Sequence, residues 1–444
     1  MTKAYDTLLL GAEIVNQDGR AVRDLAISGG RIAAIGSLAG AKAAETVDCK
    51  GLTILPGVID TQVHFREPGL THKEDLETGS RGAAMGGVTA VFEMPNTNPN
   101  TTTAETLAAK IAAGHHRMHC DFAFFVGGTA ENIEEIPMLE KLPGAAGIKV
   151  FIGSSTGNLL VEDDENLAKI LRKITRRASF HCEDEARLRS RMDLRVPGDP
   201  SSHPVWRDAE AALLATKRLV TLARRLGKRV HVLHISTGDE MEYLVDHKDV
   251  ASVEVTPHHL TLTAPECYER LGTYAQMNPP VRDKSHQDRI WWGINQGVAD
   301  ILGSDHAPHT HEEKHHAYPA SHSGMTGVQT LVPTMLNHVN NGRLTLERLV
   351  DLTSAGPARL FNIASKGRIA VGYDADLTIV DLKRRETITN KWIASKCGWT
   401  PYDGMQVTGW PVGTYLRGTR VMWQGELVGP GTGEAVRFGD ALPA

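Results

Sequence analysis

The chain has 444 residues, about three times a typical domain of roughly 150, which excludes a single small module. Hydrophobic residues make up 41% and charged residues 23%, a balance that excludes a disordered or fibrous polymer. With a net charge of -5 the chain has no broad basic field for a phosphate backbone, so nucleic acid is not an expected partner.

The opening stretch MTKAYDTLLLGAEIVNQDG carries an apolar run broken by Gly11 and Glu13, too brief for a signal peptide or a membrane span. From there DTLLLGAEIV, DLAISGG, RIAAIG and GLTIL, punctuated by Asp18-Gly19, predict short antiparallel strands. The same texture returns in GRIAVGYDADLTIVDL, GTYLRGTRVMWQGELV and the Gly/Pro-rich end. The two ends, residues 1–54 and 366–444, are therefore expected to pair as one discontinuous β domain.

Residues 55–365 have a different rhythm. Apolar β-type runs occur at 54–60, 88–94, 122–126, 147–152, 178–181, 229–235, 251–255 and 298–305. Between most of them lie helical lengths such as LTHKEDLETGSRGAAMG, LVEDDENLAKILRKITRR and WRDAEAALLATKRLVTLARRLG, with apolar positions three and four apart. Eight such units suggest an α/β fold of the (β/α)8 barrel type, and a doubly wound open sheet gives a similar pattern.

Polar residues gather where these runs end: Asp60 and His64 after the first, Lys149 in the fourth, His181 ending the fifth, His234 the sixth and Asp305 the eighth. In a barrel those ends converge on one face, where active sites are built. Singly, each has a plainer reading. His181 and His234 could be satisfied core histidines, and Asp305 a helix N-cap or turn residue. Lys149 sits between Gly147-Ile148 and Val150-Phe151, where a buried ammonium is costly unless paired or neutralised. Its stem could snorkel to the rim. Alternatively its amine takes up CO2, giving a carbamate whose two oxygens can bridge two divalent cations. Jointly the group favours a metal site. Most of the 20 histidines, including His115, His116, His315 and His316 in polar stretches, read as surface residues. The five cysteines are an odd number without a Cys-x-x-Cys pair, which fits a reducing cytoplasm rather than a disulfide framework.

The ordered strings IDTQVHFREPGLTHKEDLETGSRGAAMGGVTAVFEMPNT, GIKVFIGSSTG, HCEDE, HVLHIS, MNPPVR, GSDHAPHTHEEK and SGMTGVQT resemble the dihydroorotase branch of the amidohydrolase superfamily, in register over roughly residues 1–380. That resemblance implies a TIM-like barrel with a small β-sandwich formed by both chain ends. It also implies reversible cyclisation of N-carbamoyl-L-aspartate to L-dihydroorotate plus water in pyrimidine biosynthesis. By position, it implies that His64 ligates the more buried of two divalent ions (zinc in the first instance), that Lys149 is carboxylated to bridge them, and that His181 and His234 hold the second. Asp305 would be both ligand and general acid/base; Arg66, Asn96 and His309 would hold the substrate carboxylate, and Asn278 would face the ring. On its own chemistry Arg66 could equally pair with Glu67, and Asn96 before Thr97-Asn98-Pro99 could be a turn residue. The family also suggests a homodimer and association with aspartate carbamoyltransferase.

One position departs from the family pattern. Gln62-Val63-His64 stands where the family has His-x-His, and an amide oxygen is a weaker donor than imidazole toward zinc. The first metal could be held less tightly, the site could work with one, or catalysis could be lost and a scaffold remain. An allantoinase or hydantoinase is the alternative enzyme, and Arg66 is the discriminator, because hydantoin rings carry no free carboxylate. Segment 309–327, rich in His, Ser and Gly, reads as a covering loop, with a solvent-exposed linker as the simpler alternative. Residues 154–157 read as a strand-to-helix turn, His258-His259 as adjacent side chains pointing apart on an extended segment, and Trp291-Trp292 as helix packing.

Overall fold

At Gly57 the chain passes from one sheet into another. The computed structural model describes residues 4–155 and 157–442. Thr53–Pro56 belongs to a nine-stranded sheet, whereas Val58–Val63 opens an eight-stranded one. The apolar run 54–60 is thus two strands. A Cβ at residue 57 would lie 2.2 Å from Thr89 Oγ1 and 2.8 Å from Asp376 Cβ, so only glycine fits where the two sheets meet.

The nine-stranded sheet joins both chain ends. Thr53–Pro56 pairs parallel with Tyr5–Asn16 on one side and antiparallel with Leu377–Thr387 on the other. Gln406–Leu416 and Thr419–Trp423 continue it by antiparallel pairing. Tyr5–Asn16 is buried at Thr7–Leu9, and Leu377–Thr387 passes from four buried residues to a half-buried and exposed end. Residues 367–373, read as β texture, form turns.

The second sheet runs in strict chain order: Val58–Val63, Val88–Glu93, Asp121–Gly127, Ala145–Phe151, Ala178–His181, Val230–Val232, Ala251–Val255 and Ile301–Leu302, all parallel. Sequential parallel order with helical crossovers is a barrel pattern and not that of a doubly wound sheet. The last strand closes toward the first through a parallel bridge from Val63 to His306, where His64 N–H donates to His306 O at 2.7 Å. All eight strands are fully buried, because helices cover their outer face and side chains fill the interior.

The three helical stretches expected from periodicity form Leu76–Met85, Asp164–Lys173 and Ala209–Arg225. Each begins after an aspartate N-cap (Asp75, Asp163, Asp208) whose carboxylate accepts a backbone N–H of the first turn. Beneath the barrel, residues 429–442 run under the strands' N-terminal ends. Ala435 bridges to Phe122 and Phe438 to Ile363. Phe438 and Phe361 both pack edge-on against Phe92, closing that end with an aromatic cluster. Among the described residues, no helix is long and apolar enough to cross a membrane.

Candidate active site

At the C-terminal ends of the strands the sequence places charge where a core would place methyl groups. The cavity there is lined by Gln62, His64, Arg66, Asn96, Lys149, His181, His234, Asn278 and Asp305, together with Phe151, Met277 and Ser323–Gly324. Nine of the ten candidate residues therefore meet in one place. The tenth, His309, is fully buried behind Arg66, with Nε2 3.3 Å from Arg66 Nη2. Arg66, His234 and Asp305 have φ of 65°, 37° and 46°, a left-handed backbone that ordinary residues adopt only where surrounding structure imposes it.

Hydrogen bonds fix the imidazoles. Glu183 Oε2 can only accept, so His181 carries its proton on Nε2, 3.0 Å away. Its Nδ1 lone pair then faces His234 Nε2 at 3.0 Å. Glu183 is anchored in turn by Arg207 through Nε at 3.1 Å and a second, closer contact. His64 Nδ1 lies 2.9 Å from Asn96 Oδ1 and its Nε2 3.3 Å from Asp305 Oδ1. Burial pushes the His64 imidazole down to about 4 even with Asp305 beside it, so the ring is neutral near pH 7. Gln62 Oε1 is buried and has no hydrogen-bond partner among the described residues.

Lys149 is 1% exposed and, among the described residues, has no carboxylate within ion-pair distance. Its ammonium lies 4.4 Å from the Phe151 ring centroid, and burial pushes its pKa down to about 7. The stem does not snorkel to water. Atoms able to ligate a cation thus face one cavity in pairs: His64 Nε2 with Asp305 Oδ1, His181 Nδ1 with His234 Nε2, and the lone Gln62 oxygen. Divalent cations satisfy such a nitrogen and oxygen set, and the Glu183–His181 contact is the outer hydrogen bond that orients a ligand imidazole. The residues present fit a metal pair.

Arg66 does not pair with Glu67, which binds Arg117 at 2.8 Å. It is 1% exposed; Nε donates to Pro308 O at 3.2 Å, and Nη1 is buried without a partner among the described residues. Segment 309–327 covers the site, with Ser323 and Gly324 in the cavity wall. Lys314 within it is fully buried and donates to His322 O at 2.7 Å and Gly324 O at 3.1 Å. The covered cavity leaves ≈ 20 Å³, enough for one solvent molecule. His309, Glu313 and His322 also place ligand atoms within 4.8 Å of one another. There the Lys73 ammonium already lies 2.8 Å from Glu313 and supplies the positive charge.

Other expectations are met or corrected. Asp60 lies outside the cavity lining and ties the first strand to the last, its Oδ1 accepting from Ser304 N–H at 2.9 Å. His258 and His259 do not point apart on an extended segment. They sit on the helix Pro257–Thr261 with ring centroids 4.3 Å apart, because Thr256 caps a turn there. Both are buried outside the cavity wall, and His259 bonds to Thr256 and Pro279 O. Trp291 packs on its helix and donates to Leu260 O at 3.1 Å. Ser154–Gly157 is a loop whose Ser155 reaches the cavity, Thr156 lying outside the described residues. His115, His116, His315 and His316 are exposed, and all five cysteines are free and buried. The positioning residues Glu183 and Arg207 were missed; only the carboxylate two places after His181 gave a signal.

Eight parallel strands crowned by imidazoles, a carboxylate and a buried lysine give the make-up of a barrel enzyme's active-site rim. The amidohydrolase family model matches residues 53–421, and the chain belongs to the amidohydrolase family. It is 36% identical over 429 residues to a dihydroorotase of Methanosarcina mazei, covering 93% of each chain. It is likewise 35% identical to an allantoinase of Solibacter usitatus, covering 97% of each. Among solved structures it is similar to the L-hydantoinase of Arthrobacter aurescens, with a TM-score of 0.93, 32% identity, and coverage of 97% of this chain and 99% of the other.

Proposed function

We propose that this chain is a dihydroorotase, interconverting L-dihydroorotate plus water and N-carbamoyl-L-aspartate in pyrimidine biosynthesis. The observation that carries this reading is Arg66. A guanidinium with one buried, unpartnered Nη1 in the cavity wall is costly unless an anionic ligand completes it. A free carboxylate on the substrate does so, with Asn96 beside it and His309 holding Arg66 from behind. The dihydroorotase relative supports the same choice.

Residues Gln62, His64, Lys149, His181, His234 and Asp305 would hold two divalent ions, zinc in the first instance, with Lys149 as its carbamate. When bound, the ions make a water acidic enough to lose a proton near neutral pH and polarise the ring amide carbonyl. Asp305 accepts the proton as the water oxygen bonds to the carbonyl carbon. It then delivers that proton to the ring nitrogen as the C–N bond breaks, and cyclisation runs the same steps backwards. Lys149, neutralised by burial, can attack CO2 through Nζ, releasing one proton as the carbamate forms.

Dihydroorotate, allantoin and a 5-substituted hydantoin assayed side by side test the reading, and turnover of hydantoin or allantoin alone would replace it. Arg66→Met should raise KM for dihydroorotate by about 10- to 100-fold, the loss of a charge-assisted pair. An equal effect on a hydantoin would mean that Arg66 does not read a carboxylate. The hydantoinase and allantoinase alternative is favoured by the 0.93 TM-score and the allantoinase identity.

Gln62→His should tighten binding of the first ion, because imidazole outcompetes an amide oxygen for zinc. Titration with a metal-sensitive dye reads this, and unchanged affinity would show that Gln62 is not a ligand. No turnover together with no retained metal would leave the scaffold role, alongside aspartate carbamoyltransferase. As a working enzyme the chain is expected in the cytoplasm as a homodimer.

A further inference from the structure

His203 lies outside the cavity and carries no role so far. It is 3% exposed, on a short helical turn between the fifth and sixth barrel strands. Its ring nitrogens meet partners whose polarity is fixed by chemistry. The Trp206 indole N–H, which can only donate, faces Nδ1 at 3.4 Å. The Met277 carbonyl, which can only accept, faces Nε2 at 3.0 Å. The ring is therefore neutral, with its proton on Nε2. Burial, followed by the nearby Arg207 cation, pushes its pKa down to about 3, in the same direction.

That single N–H also meets the side-chain amide of Asn278 at 3.0 Å. Only the amide oxygen can receive it, which turns the Asn278 NH2 away from His203. Asn278 lines the cavity, and among the described residues its amide nitrogen has no hydrogen bond. Ser323 Oγ, on the covering segment, reaches the same His203 nitrogen at 3.5 Å.

We infer that His203 is a positioning residue that locks the Asn278 amide with its donors toward the substrate, so the site recognises a hydrogen-bond acceptor, a ring carbonyl oxygen, at that point. A ring N–H presented there would meet two donors and be rejected. The inference deepens the proposed function and rests on a cyclic amide being the substrate.

The test compares His203→Phe, His203→Gln, Asn278→Asp and the double variant His203→Phe/Asn278→Asp in metal-loaded protein. Each is assayed on whichever of dihydroorotate, allantoin and hydantoin the wild type turns over. His203→Phe should raise KM about tenfold with kcat nearly unchanged, the size of one lost hydrogen bond. His203→Gln, which can still donate, should recover most of the loss. The double variant should be no worse than Asn278→Asp, because His203 acts through Asn278. An unchanged KM, a fall confined to kcat, or additive effects would overturn the inference while leaving the function standing. Nitrogen-15 spectra of the His203 ring need no turnover. A proton on Nε2 from mildly acidic to basic pH supports the inference, and a proton on Nδ1 overturns it.

Discussion

Asp305→Asn is expected to lower kcat by about three orders of magnitude while the chain stays folded, because on the proposed mechanism it removes the proton carrier and exchanges a carboxylate ligand for a weaker amide oxygen. Asparagine is the informative replacement for two reasons. Residue 305 has φ of 46°, a conformation that asparagine tolerates far better than alanine, so the backbone is retained. Its amide oxygen can also still occupy the position 3.3 Å from His64 Nε2. Circular dichroism and metal content of the purified variant separate chemistry from collapse. Turnover within tenfold of wild type would remove Asp305 from the reaction, and His64 would be the next group to test.

Lys149→Met is expected to abolish turnover and yet stabilise the metal-free chain. The methionine fills nearly the same volume and leaves no amine in a site with no carboxylate partner. Replacing buried charge by well-packed apolar side chains is often worth about 1–4 kcal/mol. The sign follows from linkage. The Lys149 pKa falls from 10.5 to about 7 on burial, so between those values the unfolded chain binds more protons than the folded one. Wild-type stability therefore rises with pH through this window and is lowest, as regards this group, below pH 7. The methionine variant lacks that slope, so its advantage is greatest below pH 7 and vanishes toward 10.5. Denaturant melts of chelator-treated, CO2-free protein at several pH values read this. A variant less stable than wild type below pH 7 would mean that the amine is paired after all. Restoration of turnover to Lys149→Ala by added acetate would identify a carboxylate as the missing group.

Much of this architecture could be read from the residues, and the exceptions share a physical cause. The run 122–126 was legible because a strand covered on both faces must be continuously apolar. His64, Lys149, His181, His234 and Asp305 stood out because polar groups at the ends of such runs have no packing purpose. The run 54–60 looked like one strand because composition does not register a change of sheet, and the glycine at 57 reveals itself only against Thr89 and Asp376. His258 and His259 were misplaced because a Thr-Pro pair starts a helical turn as readily as it ends a strand. Glu183, Arg207 and His203 act through other side chains, across up to 75 positions for His203 and Asn278, and no local pattern records that.

The aromatic plug made by Phe438, Phe361 and Phe92 has a bearing on traffic through the molecule. With the floor of the cylinder stoppered, reactant, solvent and ring-opened product share one doorway, the gap guarded by the stretch that Lys314 tethers. Exchange is thereby single file. The departing molecule must clear the threshold before its successor enters.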